Sequence, residues 1–447
     1  MKIVIVGAGE VGFHLAKILS QEHHDIVVID SDKERVERVN ENLDVMAVEG
    51  SGVSPKLLFD AGAENADLLV AVSPSDEVNI LACQIANKLG TKRTIARVSS
   101  PEFNSKDAII KPDQLGINLM IYPEGVTADE IFRLVKRSTA TDVLEFGEGR
   151  IQIIGLRLDA NSPIINKKMK EVGLEINELV FRVVAISRGQ RTIIPTGDDV
   201  FKKNDQVFVV CKREYVQDML RYAGQEEEVV KNIMILGGGR IGTQVAEMLE
   251  DEVNVKIVES NEERATELAE RLKHSLVIHG EGSDIDLLAK EGIMDMDIFI
   301  AVSDDEEENI ITCLMAKHLQ VPKTIALVDN TDYVTLAGTI GLDVAVNKKL
   351  SAAQIILKFI RQGDILSIAT LHGVDAEVIE FIAKKNSDIT KKTLKDVNFP
   401  SGAIVGCVIR GDSVFIPVGS TKINPTDRVV VFTLPKSISE VEKIFNK

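Results

Sequence analysis

Residues 1–20, MKIVIVGAGEVGFHLAKILS, and residues 231–250, KNIMILGGGRIGTQVAEMLE, carry the same pattern twice. Each is an apolar run, then G-x-G-x-x-G, then a helical periodicity. That order lifts the glycine motif above chance, because a strand must feed the turn and a helix must leave it. Gly7 and Gly237 permit the tight turn, Gly9 and Gly239 let a pyrophosphate approach the main chain, and Gly12 and Gly242 bring the helix close to the sheet. The residues between them, Ala8, Glu10 and Val11 in the first copy and Gly238, Arg240 and Ile241 in the second, open helices. Their unpaired N–H groups and positive dipole ends suit phosphate.

Asp30 closes the next apolar run, 18 residues after Gly12, and Glu259 ends VKIVE in the matching place. A carboxylate there accepts from ribose hydroxyls and repels a 2′-phosphate, which favours NAD over NADP. Ser51, Ser73 and Pro74 in the first copy, and His279 and Ser303 in the second, follow later strands and complete the candidate set. For Ser73 and Ser303 two readings stand together, ligand contact and N-cap of the next helix. His279 reads either as a neighbour of adenine or as a satisfied polar residue.

The copies are not identical. Glu10 stands where the second copy has Arg240, and Arg97 where it has Leu327. An arginine at a strand's carboxyl end can clamp a phosphate bidentately, or pair with a surface carboxylate instead. The expectation is two non-equivalent nucleotide sites.

Working outward, an offset of 230 also pairs Gly50 with Gly280, Gly62 with Gly292, Asn79 with Asn309, and AVS at 71–73 with AVS at 301–303. A second register, at an offset of 222, pairs AISRG (185–189) with CVIRG (407–411) and Asp205 with Asp427. Four domains follow. Residues 1–138 and 225–362 read as Rossmann-like, doubly wound parallel sheets, because buried runs alternate with helical stretches. Residues 139–224 and 363–447 read as small α+β domains of short β-branched runs. Stretches 124–138 and 348–362 are expected as linking helices, with GQEEEVVK (224–231) as the hinge between repeats.

A net charge of −17 leaves no basic surplus for a nucleic-acid backbone. The four cysteines are scattered and form no C-x-x-C pair, the usage of a reducing compartment. With no run of 18 apolar residues and a strand starting at Lys2, the expectation is a cytoplasmic protein. The acidic run DDEEE at 304–308 fits the first turn of a helix better than a metal site. Of seven histidines only His372 falls in a small domain, and no P-loop, zinc spacing or Ser/His/Asp arrangement is present. Nucleotide binding therefore reads as a signal, with an NAD-dependent oxidoreductase of unrecognised catalytic group as the alternative. A repressor is disfavoured by the acidic charge and the lack of a helix-turn-helix.

Taken together, G-x-G-x-x-G, an acid at the second strand, AVS with a later Asn, and a small domain with R…IP.G…D.V.V, all repeated, resemble a known family. It is the tandem RCK (KTN) regulatory domain family of potassium channels and transporters. The resemblance spans essentially the whole chain. It implies a non-enzymatic, nucleotide-gated subunit of a membrane potassium transporter of the Trk type, peripheral at the membrane's inner face. It implies a homotetramer forming a ring of eight such domains, and NAD(H), with ATP or ADP as further ligands. By resemblance Gly7 to Val11, Asp30, Ser73 and Arg97 hold the first nucleotide, and Gly237 to Ile241, Glu259 and Ser303 the second. Leu327 departs from the pattern and opens the second site to a mononucleotide.

Asp30→Ala is expected to weaken NADH binding by about 1.5–3 kcal/mol, the range for a hydrogen bond to a charged group. Unchanged affinity in a calorimetric titration removes Asp30 from the site.

Overall fold

The structure is a computed structural model. It describes all residues except 22–23, 104–107, 138–139, 148, 176–180, 190, 226–228, 361–364, 371–373, 375 and 447. His372 and the middle of the 224–231 stretch lie outside the described residues.

Six strands open the chain: β1 (Lys2–Val6), β2 (Asp25–Asp30), β3 (Met46–Glu49), β4 (Leu68–Ala71), β5 (Thr94–Arg97) and β6 (Leu119–Ile121). Between and after them run α1 (Glu10–Gln21), α2 (Lys33–Asn42), α3 (Pro55–Asp60), α4 (Asp76–Leu89) and α5 (Pro123–Lys136). All strand pairings are parallel, in the order β3-β2-β1-β4-β5-β6. Strands β1 and β4 are apolar almost throughout because helices cover both faces. The strand order reverses between β1 and β4, the switch point at which such sheets bind ligands.

An antiparallel sheet follows, built from β7 (Asp142–Phe146), β8 (Ile151–Arg157), β9 (Phe181–Arg188), β10 (Arg191–Ile193) and β11 (Gln206–Lys212) in the order β10-β9-β11-β8-β7. Helices α6 (Met169–Glu175) and α7 (Val216–Tyr222) accompany it.

The second parallel sheet repeats the first. Strands β12 (Asn232–Leu236), β13 (Asn254–Glu259), β14 (Leu276–His279), β15 (Ile298–Ala301), β16 (Lys323–Leu327) and β17 (Val344–Val346) lie in the order β14-β13-β12-β15-β16-β17. Its helices are α8 (Arg240–Leu249), α9 (Glu262–Arg271), α10 (Ile285–Lys290), α11 (Glu306–His318), α12 (Thr331–Ile340) and α13 (Lys348–Ile360). The last sheet contains β18 (Ile365–Thr370), β19 (Glu377–Ile382), β20 (Ala403–Arg410), β21 (Ser413–Phe415) and β22 (Arg428–Thr433), with α14 (Asp388–Lys391) and α15 (Ile438–Asn446). Its order, β18-β19-β22-β20-β21, is that of the first antiparallel sheet.

Compactness divides the chain differently from its repeats. One unit is Met1–Thr127 with Asn347–Ile360, and the other is Ala128–Val346 with Arg361–Lys447. The linking helices cause this. In the first unit Ala352, Ala353, Ile356, Leu357 and Ile360 of α13 enter the core made by Ile3, Ile5, Leu15 and Val70. In the second unit Ala128, Ile131, Leu134 and Val135 of α5 enter the core made by Ile233, Ile235, Val245 and Ile300. Each parallel-sheet domain thus gives its last helix to the other's sheet, which the amphipathic pattern alone did not foretell. Equivalent cations hold the exchanged helices by their carboxyl ends. Arg93 donates to Phe359 O at 3.2 Å and Ile360 O at 3.4 Å. Lys323, its counterpart, donates to Leu134 O, Arg137 O and Ala140 O at 2.8, 3.1 and 2.7 Å. Both satisfy the carbonyls that a helix leaves unpaired and complement its negative end.

Within the second unit the two small domains share one apolar core. Ile151, Ile153, Val184, Phe208 and Val210 meet Val378, Cys407, Val430 and Phe432. Arg182 donates to Val405 O at 2.9 Å and also to Pro417 O. All four cysteines are buried, and burial pushes the Cys211 thiol up to about 12. They pack rather than react.

Ile356 is 1 % exposed. Ile356→Ala is expected to cost about 2–5 kcal/mol, as truncation of a buried Ile does. The loss should accelerate hydrogen exchange in β1–β6 and leave β12–β17 protected; the reverse pattern would refute the exchange of helices.

Candidate functional site

Backbone geometry explains the glycines. Gly7 has φ +105°, and a Cβ there would stand 2.9 Å from Ser73 N; Gly237 has φ +102° and would meet Ser303 N at 2.7 Å. A Cβ on Gly12 or Gly242 would come within 1.9 Å of the Gly7 or Gly237 carbonyl. These four positions serve the fold. Gly9 is different: its nearest neighbour to a Cβ is Arg35 Nη1 at 3.9 Å, and Gly239 has nothing within 4 Å. Open space at the second glycine is where a ligand can approach the main chain.

The acids are fastened to the turns. Asp30 Oδ2 accepts from Ala8 N at 2.5 Å and Oδ1 from Asp32 N at 2.9 Å. Glu259 Oε2 accepts from Gly238 N and Oε1 from Asn261 N, both at 2.8 Å. Each carboxylate is oriented by main-chain donors and keeps further lone pairs for hydroxyls.

Ser73 and Ser303 lie across the switch point from the glycine turns, but neither caps a helix. Ser75 and Asp305 are the N-caps of α4 and α11, accepting from Val78 N and Glu308 N. Ser73 Oγ accepts from Ser75 N at 3.4 Å and Ser303 Oγ from Asp305 N at 3.3 Å, so both serines brace the edge that leads into these helices. Asn79, fully buried, fixes that edge: its Oδ1 accepts from Ser73 N and its Nδ2 donates to Ser73 O and Arg97 O, all at 2.9 Å. Asn309 makes the same bridge to Ser303 and Leu327 at 2.9–3.0 Å. The repeat pairs these asparagines, yet only the fold shows them bracing the ends of the fourth and fifth strands.

In the second copy the elements enclose a cleft of about 230 Å³. Gly237, Gly239, Glu259, Gly280 and Ser303 are on its wall. Gly238, Arg240, Ile241 and Gly242 are not; Ile241 and Gly242 are buried in α8. His279 is also off the wall, exposed, with Nε2 at 3.0 Å from Ser260 O. That contact makes it a satisfied polar neighbour. In the first copy Ala8 and Val11 are core residues, whereas Ser51 and Pro74 are exposed on loops.

An arginine escaped the sequence reading in each copy. Arg264 is on the wall of the second cleft with Nη1 3.9 Å from Glu259 Oε2, and its counterpart is Arg35, beside Gly9. Their signal is the shared D-S-D-K-E-R and E-S-N-E-E-R, in which the helical periodicity drew the eye from the arginine.

The copies diverge in charge. Glu10 accepts from Arg38 at 2.5 Å, and that bond holds its carboxyl below the usual range; Arg38 in turn lies 4.3 Å over the Phe13 ring. Among the described residues no ion pair is seen for Arg97, and its Nε is buried without a hydrogen-bond partner. Leu327 instead joins the apolar core that receives α5. The second cleft carries Asp304, Asp305 and Glu308 where the first copy has Pro74, Ser75 and Val78. Glu308 Oε2 accepts from Ser303 Oγ at 3.0 Å and Glu306 from Asp329 N and Asn330 N. Among the described residues no group of three or more metal-ligating side chains converges.

Two parallel sheets with glycine turns, each followed by a small antiparallel domain, define a tandem RCK-type chain. The TrkA-N domain model matches residues 3–123 and 233–348, and the TrkA-C domain model residues 153–224 and 378–446. The chain belongs to the TrkA family. It is 39 % identical over 454 residues to Trk system potassium uptake protein TrkA homolog 1 of Methanosarcina mazei, covering 100 % of both chains. It is 36 % identical to Trk system potassium uptake protein TrkA of Halomonas elongata, covering 100 % of this chain and 98 % of that one. Among solved structures it resembles the GsuK RCK domain, with a TM-score of 0.61 and 17 % identity over 99 % of this chain and 94 % of that one. It also resembles the GsuK channel bound to NAD, with a TM-score of 0.62 and 18 % identity over 99 % and 78 %.

Asn79→Ala strands the Ser73 N–H and two carbonyls. It is expected to cost about 1–3 kcal/mol, the penalty for unsatisfied buried groups. Urea unfolding measures it, and a change below about 0.5 kcal/mol, the usual surface effect, would deny Asn79 its bracing role.

Proposed function

We propose that this chain is the nucleotide-sensing, non-enzymatic regulatory subunit of a Trk-type potassium uptake system, acting at the cytoplasmic face of the membrane through its transporter. The observation that carries the reading is the doubled cradle: open main chain at Gly9 and Gly239 beside an oriented acid, Asp30 and Glu259. NAD or NADH fits the first copy. Its pyrophosphate lies over the turn from Gly7 to Val11, a ribose on Asp30, and Arg97 and Ser73 border the phosphates. The second copy uses Gly237 to Ile241, Glu259 and Ser303. ATP or ADP is an alternative ligand there, and its phosphates need cationic compensation against the carboxylates of the cleft. The relatives' names supply the potassium uptake system, and a channel of the same fold is described bound to NAD.

The domain limits we propose are 1–138, 139–224, 225–362 and 363–447. The assembly is a homotetramer, whose eight RCK-type domains form a ring. A ligand shifts a conformational equilibrium only by its differential affinity for the two states. Coupling of about 1–3 kcal/mol per site, repeated around a symmetric ring, makes a usable switch.

Calorimetric titration of the full chain with NADH, NAD, NADPH, ATP and ADP tests this, with recovery of each nucleotide afterwards. Binding at up to two sites, with the nucleotide returned intact, supports a sensor; cofactor turnover would favour the oxidoreductase. Arg97→Ala is expected to impair one site and spare the other, and an equal loss at both contradicts two independent sites.

A further inference from the structure

Two buried polar atoms at one edge of the first parallel sheet are left unsatisfied. Among the described residues, Arg97 Nε and Glu124 Oε2 have no hydrogen-bond partner. Arg97 is the last residue of β5, and its register partner Ile121 is the last of β6. Glu124 follows three residues later, in the first turn of α5, and is 8 % exposed. Its other oxygen, Oε1, lies 3.8 Å from Lys348 Nζ, and that ion pair leaves Oε2 without a donor. Folded proteins pair nearly all such atoms, because an unpaired buried acceptor keeps its full desolvation cost.

Topology places both atoms on one side of the nucleotide crevice. The strand order reverses between β1 and β4, and a dinucleotide bound there extends to both sides of the reversal. Asp30 ends β2 on one side. On the other, moving outward, come Ser73 after β4, Arg97 at the end of β5 and Glu124 after β6. This edge is continuous with the glycine turn. A Cβ on Gly7 would stand 2.9 Å from Ser73 N, and Asn79 Nδ2 bridges Ser73 O and Arg97 O. The second copy has neither group: Leu327 replaces Arg97, and aligning Ile121 with Val346 sets Lys349 in the place of Glu124.

We propose that Glu124, together with Arg97, forms a subsite for the second nucleoside of a dinucleotide, by which the first site distinguishes NAD(H) from ADP and ATP. The inference rests on the nucleotide binding proposed above. A lone N–H and a lone carboxylate oxygen call for neutral groups that both accept and donate, which means ribose hydroxyls or a carboxamide. An ionised phosphate only accepts; it can serve Arg97 but is repelled by Glu124. With five N–H donors, Arg97 can border a phosphate and still offer Nε to the second nucleoside.

The test titrates the full chain calorimetrically with NADH, ADP-ribose and ADP, in a Glu259→Ala background that weakens the second cleft. Glu124→Ala is expected to weaken NADH about tenfold or more, the loss of one hydrogen bond to a charged acceptor, and to leave ADP unchanged. Glu124→Gln, which keeps an acceptor of the same shape, should recover part of the affinity. ADP-ribose carries the second ribose without the nicotinamide. A loss shared by ADP-ribose and NADH assigns Glu124 to the hydroxyls, and a loss confined to NADH assigns it to the carboxamide. Unaltered NADH affinity in Glu124→Ala would overturn the proposal, since a buried water would then suffice for Oε2. An equal loss for ADP would overturn it too, because that marks a packing defect. If the parent chain binds ADP as tightly as NADH, the subsite fails while the nucleotide reading stands; if it binds neither, both fall.

Discussion

A parallel sheet must be covered on both faces, and in this chain neither repeat covers its own sheet completely. The helix that closes each parallel-sheet domain leaves its parent sheet and completes the core around the other, α13 beside α1 and α5 beside α8. Ala352, Ile356 and Ile360 on one side, and Ala128, Ile131 and Val135 on the other, are buried because of this exchange. Apolar burial of about 25 cal/mol per Å² makes such a seam costly to open. Arg93 and Lys323 close it by satisfying the helix carbonyls.

The two similar glycine turns are nevertheless not duplicates. Leu327 lies in the core that receives α5, whereas Arg97, its counterpart, keeps a buried, unpartnered Nε. Around the second cleft Asp304, Asp305 and Glu308 add negative charge that the first copy lacks. The two cradles thereby differ in charge although they share one fold.

Much of the site was legible before the fold. Glycines at the turns and an acid at the end of the second strand have roles set by local geometry, so spacing within about 30 residues suffices to find them. Asn79 and Asn309 were visible only as a repeated letter, since bridging two strand ends joins residues distant in the chain. Arg35 and Arg264 sat inside amphipathic patterns that a solvated helix explains equally well. Ser73 and Ser303 were ambiguous because a serine after a strand can serve a helix or a ligand; the helix caps prove to be Ser75 and Asp305, two residues later.

The sequence by itself determined the repeat, the parallel sheets, the small α+β domains and the cradles, because alternation, periodicity and turn chemistry are local properties. Tertiary structure decided which sheet each linking helix covers, that the two small domains share a core, and which charges meet at each turn. The reason is physical: an amphipathic face states that it must be buried, but any apolar surface of the right shape can bury it. Partner choice is settled only when all such faces are satisfied at once.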